Sequence, residues 1–313
     1  MAKSSVNSKV SNSGVDRISL LASSYSGSTI FGMLLGQDDR FSGFGDAYLP
    51  RGMSSLAVMC NCGAAIGECS FRSELRKGLL ARDMPPEMVH SRDYAIPFKV
   101  VASRYGGTKV SQLYALLGRI IGYSRVYGSF LERENFLLNL IGQMSQYEFC
   151  IDGSKRLVRA DIFMATDCSN KLVHLVRDPF TVLHSGVVRH DNYGRGIRAH
   201  LRSWISYNFK AKSLCEKYPE RSCRIAFDSL VNNPTKVIEV ISSKFCIEKI
   251  EADPANIVVS KTHIVGNRAR FNSSSIKPNQ RRIKPEELID FGVPMDEIER
   301  VRRAYRELSL DLI

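Results

Sequence analysis

The sequence predicts a three-layer α/β domain, a mainly parallel sheet with helices on both faces. Three observations carry this. β-like runs alternate with helical stretches between Arg17 and Leu308, the pattern of sheets built through crossover helices. The apolar run Arg17–Ala22 leads through a Ser/Gly-rich turn into the apolar stretch Thr29–Leu35, and strand, small-residue loop and helix is how many α/β anion sites begin. The β-like run Lys171–Val176 stops at Arg177, Asp178 and Pro179, and Pro179 suits the first turn of a following helix.

In chain order, residues 1–15 hold five serines and two asparagines and are expected to be a disordered leader. Residues 16–313 read as one domain, since 313 residues can bury a sizeable core. After the first strand and helix, a second strand precedes Gly45 and Asp46. Residues 53–147 read as a mainly helical insert, with helix candidates near 86–92, 110–122 and 131–147. Glu148–Ile151 is a short strand ending in Asp152, Gly153, Ser154 and Lys155. A long helix is expected over 195–217, a strand over Cys223–Phe227, and a helix from Pro234 to Phe245. Met295–Leu308 is amphipathic, with acidic residues early and basic ones late, matching the helix dipole. Ligands of such sheets sit at the carboxyl ends of the strands.

Composition narrows the function. Hydrophobic residues are 44% and charged residues 24%, ordinary globular usage that excludes a disordered, collagenous or coiled-coil chain. No stretch of 18 apolar residues occurs, so no membrane span is expected. Eight scattered cysteines suggest reduced thiols and a cytoplasmic protein. Lys and Arg exceed Asp and Glu by 44 to 32, a net charge of +12, which favours anionic partners. Between Ala255 and Pro285 there are seven basic residues and no acidic one.

Two loops carry the chemistry. In the first, Gly27 lets backbone approach an anion, while helix N–H groups and the Ser28 and Thr29 hydroxyls supply donors. The lysine of the nucleotide-binding pattern G-x-x-x-x-G-K-[ST] is missing, and a serine-rich helix start also serves as a plain cap. In the second, Arg177 can clamp a phosphate bidentately and Ser185 can add a hydroxyl; a local Arg177–Asp178 ion pair is the alternative.

Together these loops resemble those of sulfotransferases that use 3′-phosphoadenylyl sulfate. Further matches are Gly45–Asp46, Asp152–Lys155, Phe227–Pro234 and His263–Asn267, so the resemblance spans roughly residues 17–285. It implies the P-loop-like sulfotransferase fold, and sulfuryl transfer from that nucleotide to a hydroxyl or amine of a small-molecule or glycan acceptor, by in-line displacement and without a required metal. Ser26, Gly27, Ser28 and Thr29 would cradle the 5′-phosphosulfate, and Arg177 and Ser185 would hold the 3′-phosphate. Gly266, Asn267, Arg268 and Arg270 would belong to a late loop over the nucleotide; Arg281 and Arg282 could meet an anionic acceptor.

Where many members carry Lys or Arg before the first loop's Ser–Gly, this chain has Tyr25. Charge on the leaving group must be neutralised in such transfers, and Lys155 is the expected substitute. Asp46 is the expected base for the acceptor proton, with capping as its alternative role. His184 precedes Ser185, while His90, His174, His190 and His263 show no distinguishing pairing. Trp204 and Tyr207 are expected in the core rather than at adenine or acceptor. Cys60, Cys62 and Cys69 could hold Zn²⁺ with Cys150 or His90 as a fourth ligand, but their spacing is not that of paired C-x-x-C motifs, and structural thiols or a disulfide are expected instead.

Two other classes share part of the pattern. A kinase-like phosphoryl transferase would depend on magnesium, and no convincing acidic pair for that ion is visible. A non-catalytic polyanion binder would use the basic segment, but no aromatic–basic interleaving supports nucleic acid.

Overall fold

The computed structural model describes residues 14–43, 59–84, 122–145, 147–186, 196–258, 263 and 282–313. Its strands are β1 (Asp16–Ala22), β2 (Phe41–Gly43), β3 (Phe149–Asp152), β4 (Lys171–Val176) and β5 (Ser222–Ala226). They form one sheet in the order β2-β3-β1-β4-β5, and every ladder is parallel. The register pairs Ala22 with Leu175 and Val176 with Ala226, so β1, β4 and β5 end at nearly the same level.

Both faces of the sheet are covered. Ile18, Leu20 and Ala22 of β1 pack with Phe31, Leu34 and Leu35 of α1 (Ser28–Leu35). A later helix, separated from α1 by most of the chain, packs on the same face through Val237, Ile238 and Ile241 and spans Pro234–Phe245. On the other face, Leu21 packs with Ala160 and Met164 from Leu157–Thr166, and with Tyr207, Ala211 and Leu214 from Ile197–Lys217. Each fully buried Leu or Ile contributes about 1.5–3 kcal/mol. The three-layer α/β architecture expected from the sequence is present.

The remaining helices are numbered in chain order. α2 (Ser70–Leu80) and α3 (Tyr123–Ser145) pack together through Leu75, Leu79, Leu138 and Ile141, with Val15 and Cys150 beneath them. α4 is Leu157–Thr166, α5 Pro179–Gly186, α6 Ile197–Lys217, α7 Phe227–Asn232, α8 Pro234–Phe245, α9 Pro285–Asp290 and α10 Met295–Ser309. Ala304 and Leu308 of α10 cover Trp204 of α6 and Val176 of β4. Asn233 caps α8, its side chain accepting from the Lys236 N–H, and Pro234 takes the first helical turn.

The helix expected over 131–147 is part of α3, which starts at Tyr123. The candidate at 86–92 lies outside the described residues, as do 110–121 and the leader up to residue 13. α4 was not anticipated, and the reason is physical: Arg159, Ala160, Ile162, Phe163 and Met164 are all buried, leaving no polar stripe to betray a helical period.

Candidate active site

The chain leaves β1 towards β2 and β3 on one side, and leaves β4 towards β5 on the other. Diverging connections open a crevice at the carboxyl ends of these neighbouring strands. Both loops singled out in the sequence begin there.

The first loop is a tight turn. The Ser26 N–H donates to the Ser23 carbonyl at 3.2 Å, the two hydroxyls lie 2.5 Å apart, and Ser26 is fully buried. The Ser26 hydroxyl is therefore committed to closing the loop. Tyr25 and Gly27 have φ of 66° and 90°, the left-handed region that glycine enters without penalty. Among the described residues no side chain caps α1, and no acidic residue occupies its first turn. Its leading N–H groups therefore lack intrahelical partners and present positive potential to the crevice.

The second loop is capped where the first is open. The Asp178 carboxylate accepts from Thr181 N at 2.8 Å and Oγ1 at 3.0 Å, with Pro179 opening α5. Its other oxygen lies 3.3 Å from Arg282, so Arg282, open to an anionic acceptor from sequence alone, has a protein carboxylate at hand. Arg177 donates through Nη1 to the Tyr25 carbonyl at 2.8 Å and lies 4.2 Å above the Phe227 ring. Burial lowers its pKa, with Asp228 and Asp178 opposing. Ser185 is buried near the end of α5. A Cβ on Gly186 would lie 2.7 Å from the Tyr25 ring, and one on Gly27 would lie 2.1 Å from the Phe227 ring. Arg177, Tyr25, Gly186, Gly27 and Phe227 thus lock the two loops into one body.

Lys155 enters from β3. It is half-buried with φ 59°, and its carbonyl accepts from the Tyr207 hydroxyl at 3.0 Å. That hydroxyl also accepts from the Ala22 N–H at 3.2 Å, tying Lys155 to the residue where the first loop begins. Tyr207 is buried, as expected, and its polar end does this positioning. Replacing it with Phe leaves a buried N–H and C=O without that partner, so Tyr207→Phe should lose about 1–3 kcal/mol in urea denaturation. An unchanged midpoint would show that Lys155 is held by other contacts.

Beneath Lys155 lies a buried charge network that sequence reasoning missed. Asp152 accepts from the Ser154 N–H at 3.0 Å and from Arg159 Nε at 2.6 Å. Arg159 Nη2 reaches Glu134 at 2.5 Å, and Arg17 lies 3.6 Å from the same carboxylate. Burial alone would raise the pKa of Asp152; Arg159 and Arg17 overcome it and hold the group at about 2. No spacing rule links positions so far apart in sequence.

Asp46, Gly266, Asn267, Arg268 and Arg270 lie outside the described residues, as do Arg281, His90 and His190. His174 sits in the core, its Nε2 3.0 Å from Asn208 Oδ1, while His184 is half-buried on α5 beside Ser185. Trp204 is buried edge-on to Tyr305, ring centroids 6.0 Å apart. Cys60, Cys62 and Cys69 form no disulfide, in keeping with the structural thiols expected. Among the described residues the ligand atom that converges on them is that of His263 and not that of Cys150, while His90 lies outside the described residues.

No protein-family model matches the chain, and no curated protein matches its sequence. In structure it is similar to the sulfotransferase domain of the olefin synthase from Synechococcus PCC 7002, at 15% identity and a TM-score of 0.56, over 96% of each chain. It is also similar to a sulfotransferase domain from the curacin biosynthetic pathway, at 17% identity and a TM-score of 0.47, over 96% of this chain and 99% of that one. A third similar structure is a sulfotransferase from Mycobacterium avium, at 14% identity and a TM-score of 0.49, over 96% of this chain and 78% of that one. The five-stranded parallel sheet between two helical layers is the α/β fold of the sulfotransferases.

Proposed function

We propose that the protein is a sulfotransferase that moves the sulfuryl group of 3′-phosphoadenylyl sulfate to a hydroxyl or amine of a small-molecule or glycan acceptor. The observation that carries this reading is the union of the two loops: an uncapped helix start beside Arg177, whose guanidinium is anchored on the Tyr25 carbonyl. A dianionic group at each loop matches a nucleotide that bears phosphosulfate at one end and phosphate at the other.

In this reading Gly27, Ser28 and Thr29 hold the 5′-phosphosulfate through backbone N–H groups and hydroxyls, and Ser26 shapes the turn that aims them. Arg177 and Ser185 hold the 3′-phosphate. Gly266, Asn267, Arg268 and Arg270 complete the nucleotide site. The acceptor oxygen or nitrogen bonds to sulfur as the bond from sulfur to the bridging oxygen breaks. Asp46 takes the acceptor proton, and Lys155 neutralises charge gathering on the departing bisphosphate. No metal enters this step. Residues 53–147 provide acceptor specificity, because the nucleotide loops lie outside them. The eight mostly scattered cysteines of the sequence support a reducing, cytoplasmic setting.

The test is thermal unfolding with adenosine 3′,5′-bisphosphate, against AMP and against ATP with magnesium. At a hundredfold excess over Kd the bisphosphate should stabilise the protein by about 2.7 kcal/mol. Arg177→Ala should remove that stabilisation, whereas Lys155→Ala should keep most of it and lose turnover. Preference for magnesium ATP, or no response to the bisphosphate, would overturn the assignment.

A further inference from the structure

We infer that Cys60, Cys62, Cys69 and His263 form a structural zinc site, an inference that does not rest on the nucleotide reading. Their four ligand atoms lie within 4.8 Å of one another. The Cys69 sulfur is 3.7 Å from that of Cys62 and 3.8 Å from that of Cys60. His263 Nδ1 is 3.4 Å from the Cys69 sulfur and 3.8 Å from that of Cys60. With Zn–S near 2.3 Å and Zn–N near 2.0–2.1 Å, a tetrahedron has S···S edges of about 3.8 Å and S···N edges of about 3.6 Å. These four separations lie within about 0.2 Å of those edges.

The local chain is arranged to hold them there. Cys60 and Cys62 share a tight turn in which Cys60 N–H donates to Ala64 at 2.8 Å and Gly63 N–H to Cys60 at 3.0 Å. Met59 bridges Ala65 beside it, and Gly63 supplies a φ of 88° that suits glycine. Cys69 immediately precedes α2 and so stands at a helix start, which fixes its backbone. The His263 ring stacks on Phe71 with centroids 4.5 Å apart and planes 7° apart, and Arg72 Nη2 donates to the His263 carbonyl at 3.2 Å.

Charge supports the same assignment. Arg72 is fully buried, and Cys60, Cys69 and Cys62 all lie within its electrostatic reach. A buried cation is costly unless anions surround it. Zinc with three thiolates and a neutral imidazole carries one net negative charge, which Arg72 balances. Binding therefore brings in one Zn²⁺ and sends up to three thiol protons to solvent. Three soft sulfurs and an imidazole select zinc over oxygen-seeking cations. With four protein ligands no position stays open, so the metal is structural. It would fasten residue 263, just before Gly266 and Asn267 in sequence, to α2.

The experiment is elemental analysis of the full chain, purified without a metal-binding tag, saturated with zinc and dialysed free of unbound metal. About one zinc per chain is expected, and less than about a tenth of an equivalent would overturn the assignment. Cys62→Ser, at the half-buried ligand, should lose the metal. Cys150→Ala, at a buried thiol of the same apolar cluster, should keep it. Zinc retained by Cys62→Ser counts against the site. Should that variant fail to fold, cobalt-loaded wild type decides: thiolate-to-cobalt charge transfer with tetrahedral visible bands is expected, and an octahedral spectrum would overturn the site.

Discussion

Gly27→Ala should abolish stabilisation by adenosine 3′,5′-bisphosphate and weaken the fold by about 2–5 kcal/mol, from two separate costs. The first is conformational: φ is 90° at Gly27, and holding an alanine in the left-handed region costs about 1–2 kcal/mol. The second is steric. The new Cβ would lie 2.1 Å and 2.4 Å from two atoms of the Phe227 ring, and overpacking of this kind costs about 1–3 kcal/mol. The ring has little room to yield, because it opens α7, joins the main core cluster and lies beneath Arg177. Displacing either side moves the leading N–H groups of α1 or the guanidinium opposite them. Combining Gly27→Ala with Phe227→Ala removes the overlap and leaves the backbone cost, so part of the loss should return in a double-mutant cycle. A single variant with a wild-type urea midpoint and a full bisphosphate response would mean that the loop does not depend on this close approach.

Much of this fold was legible in the sequence because its signals are local. The boundaries of β4 and of α8 coincide with those read from Lys171–Val176 and from Pro234 onwards, since each is a short apolar run or periodic stretch with punctuation beside it. Gly27 and Pro179 announced the two loops for the same reason: special backbone geometry requires special residues. What stayed hidden depends on pairs remote in sequence. Tyr207 reads as one more apolar residue on a helix until Ala22 and Lys155 are found at its hydroxyl. His263 had no visible partner because its cysteines lie on a turn and helix start near residues 60–70. Arg17 read as part of an apolar strand, yet its guanidinium is buried 3.4 Å from the centre of the Phe163 ring. Such a placement is tolerable only with carboxylates nearby, and Glu134 and Asp152 come from two further elements.

Asp152→Asn should cost about 3–5 kcal/mol, because it leaves two buried guanidinium groups facing a single carboxylate. The four side chains Arg17, Glu134, Asp152 and Arg159 are buried and formally neutral together, so each depends on the others. The substitution should also alter acid unfolding. Asp152 is held at about 2 against an ordinary 3.8, so the folded state binds fewer protons there than the unfolded chain. Its stabilisation is present above the ordinary value and is lost as pH falls towards 2. His174 acts in a higher window: burial, with Arg224 adding to it against the Asn208 hydrogen bond, lowers it from 6.5 to about 4. Below its ordinary value the unfolded chain takes up the proton first, so this stability too falls with falling pH. Urea midpoints measured from about pH 7 to about pH 3 should therefore decline in two limbs in the wild type. The lower one should be shallower in Asp152→Asn, with Asp38, Glu134 and Glu297, also held below their ordinary values, supplying what remains. Unchanged midpoints and an unchanged lower limb would place Asp152 in contact with water instead of in the network. A purely apolar cluster could give equal stability, but it could not accept the Ser154 N–H that sets the turn into Lys155. The network therefore joins the buried core to the placement of the cation assigned to the leaving group.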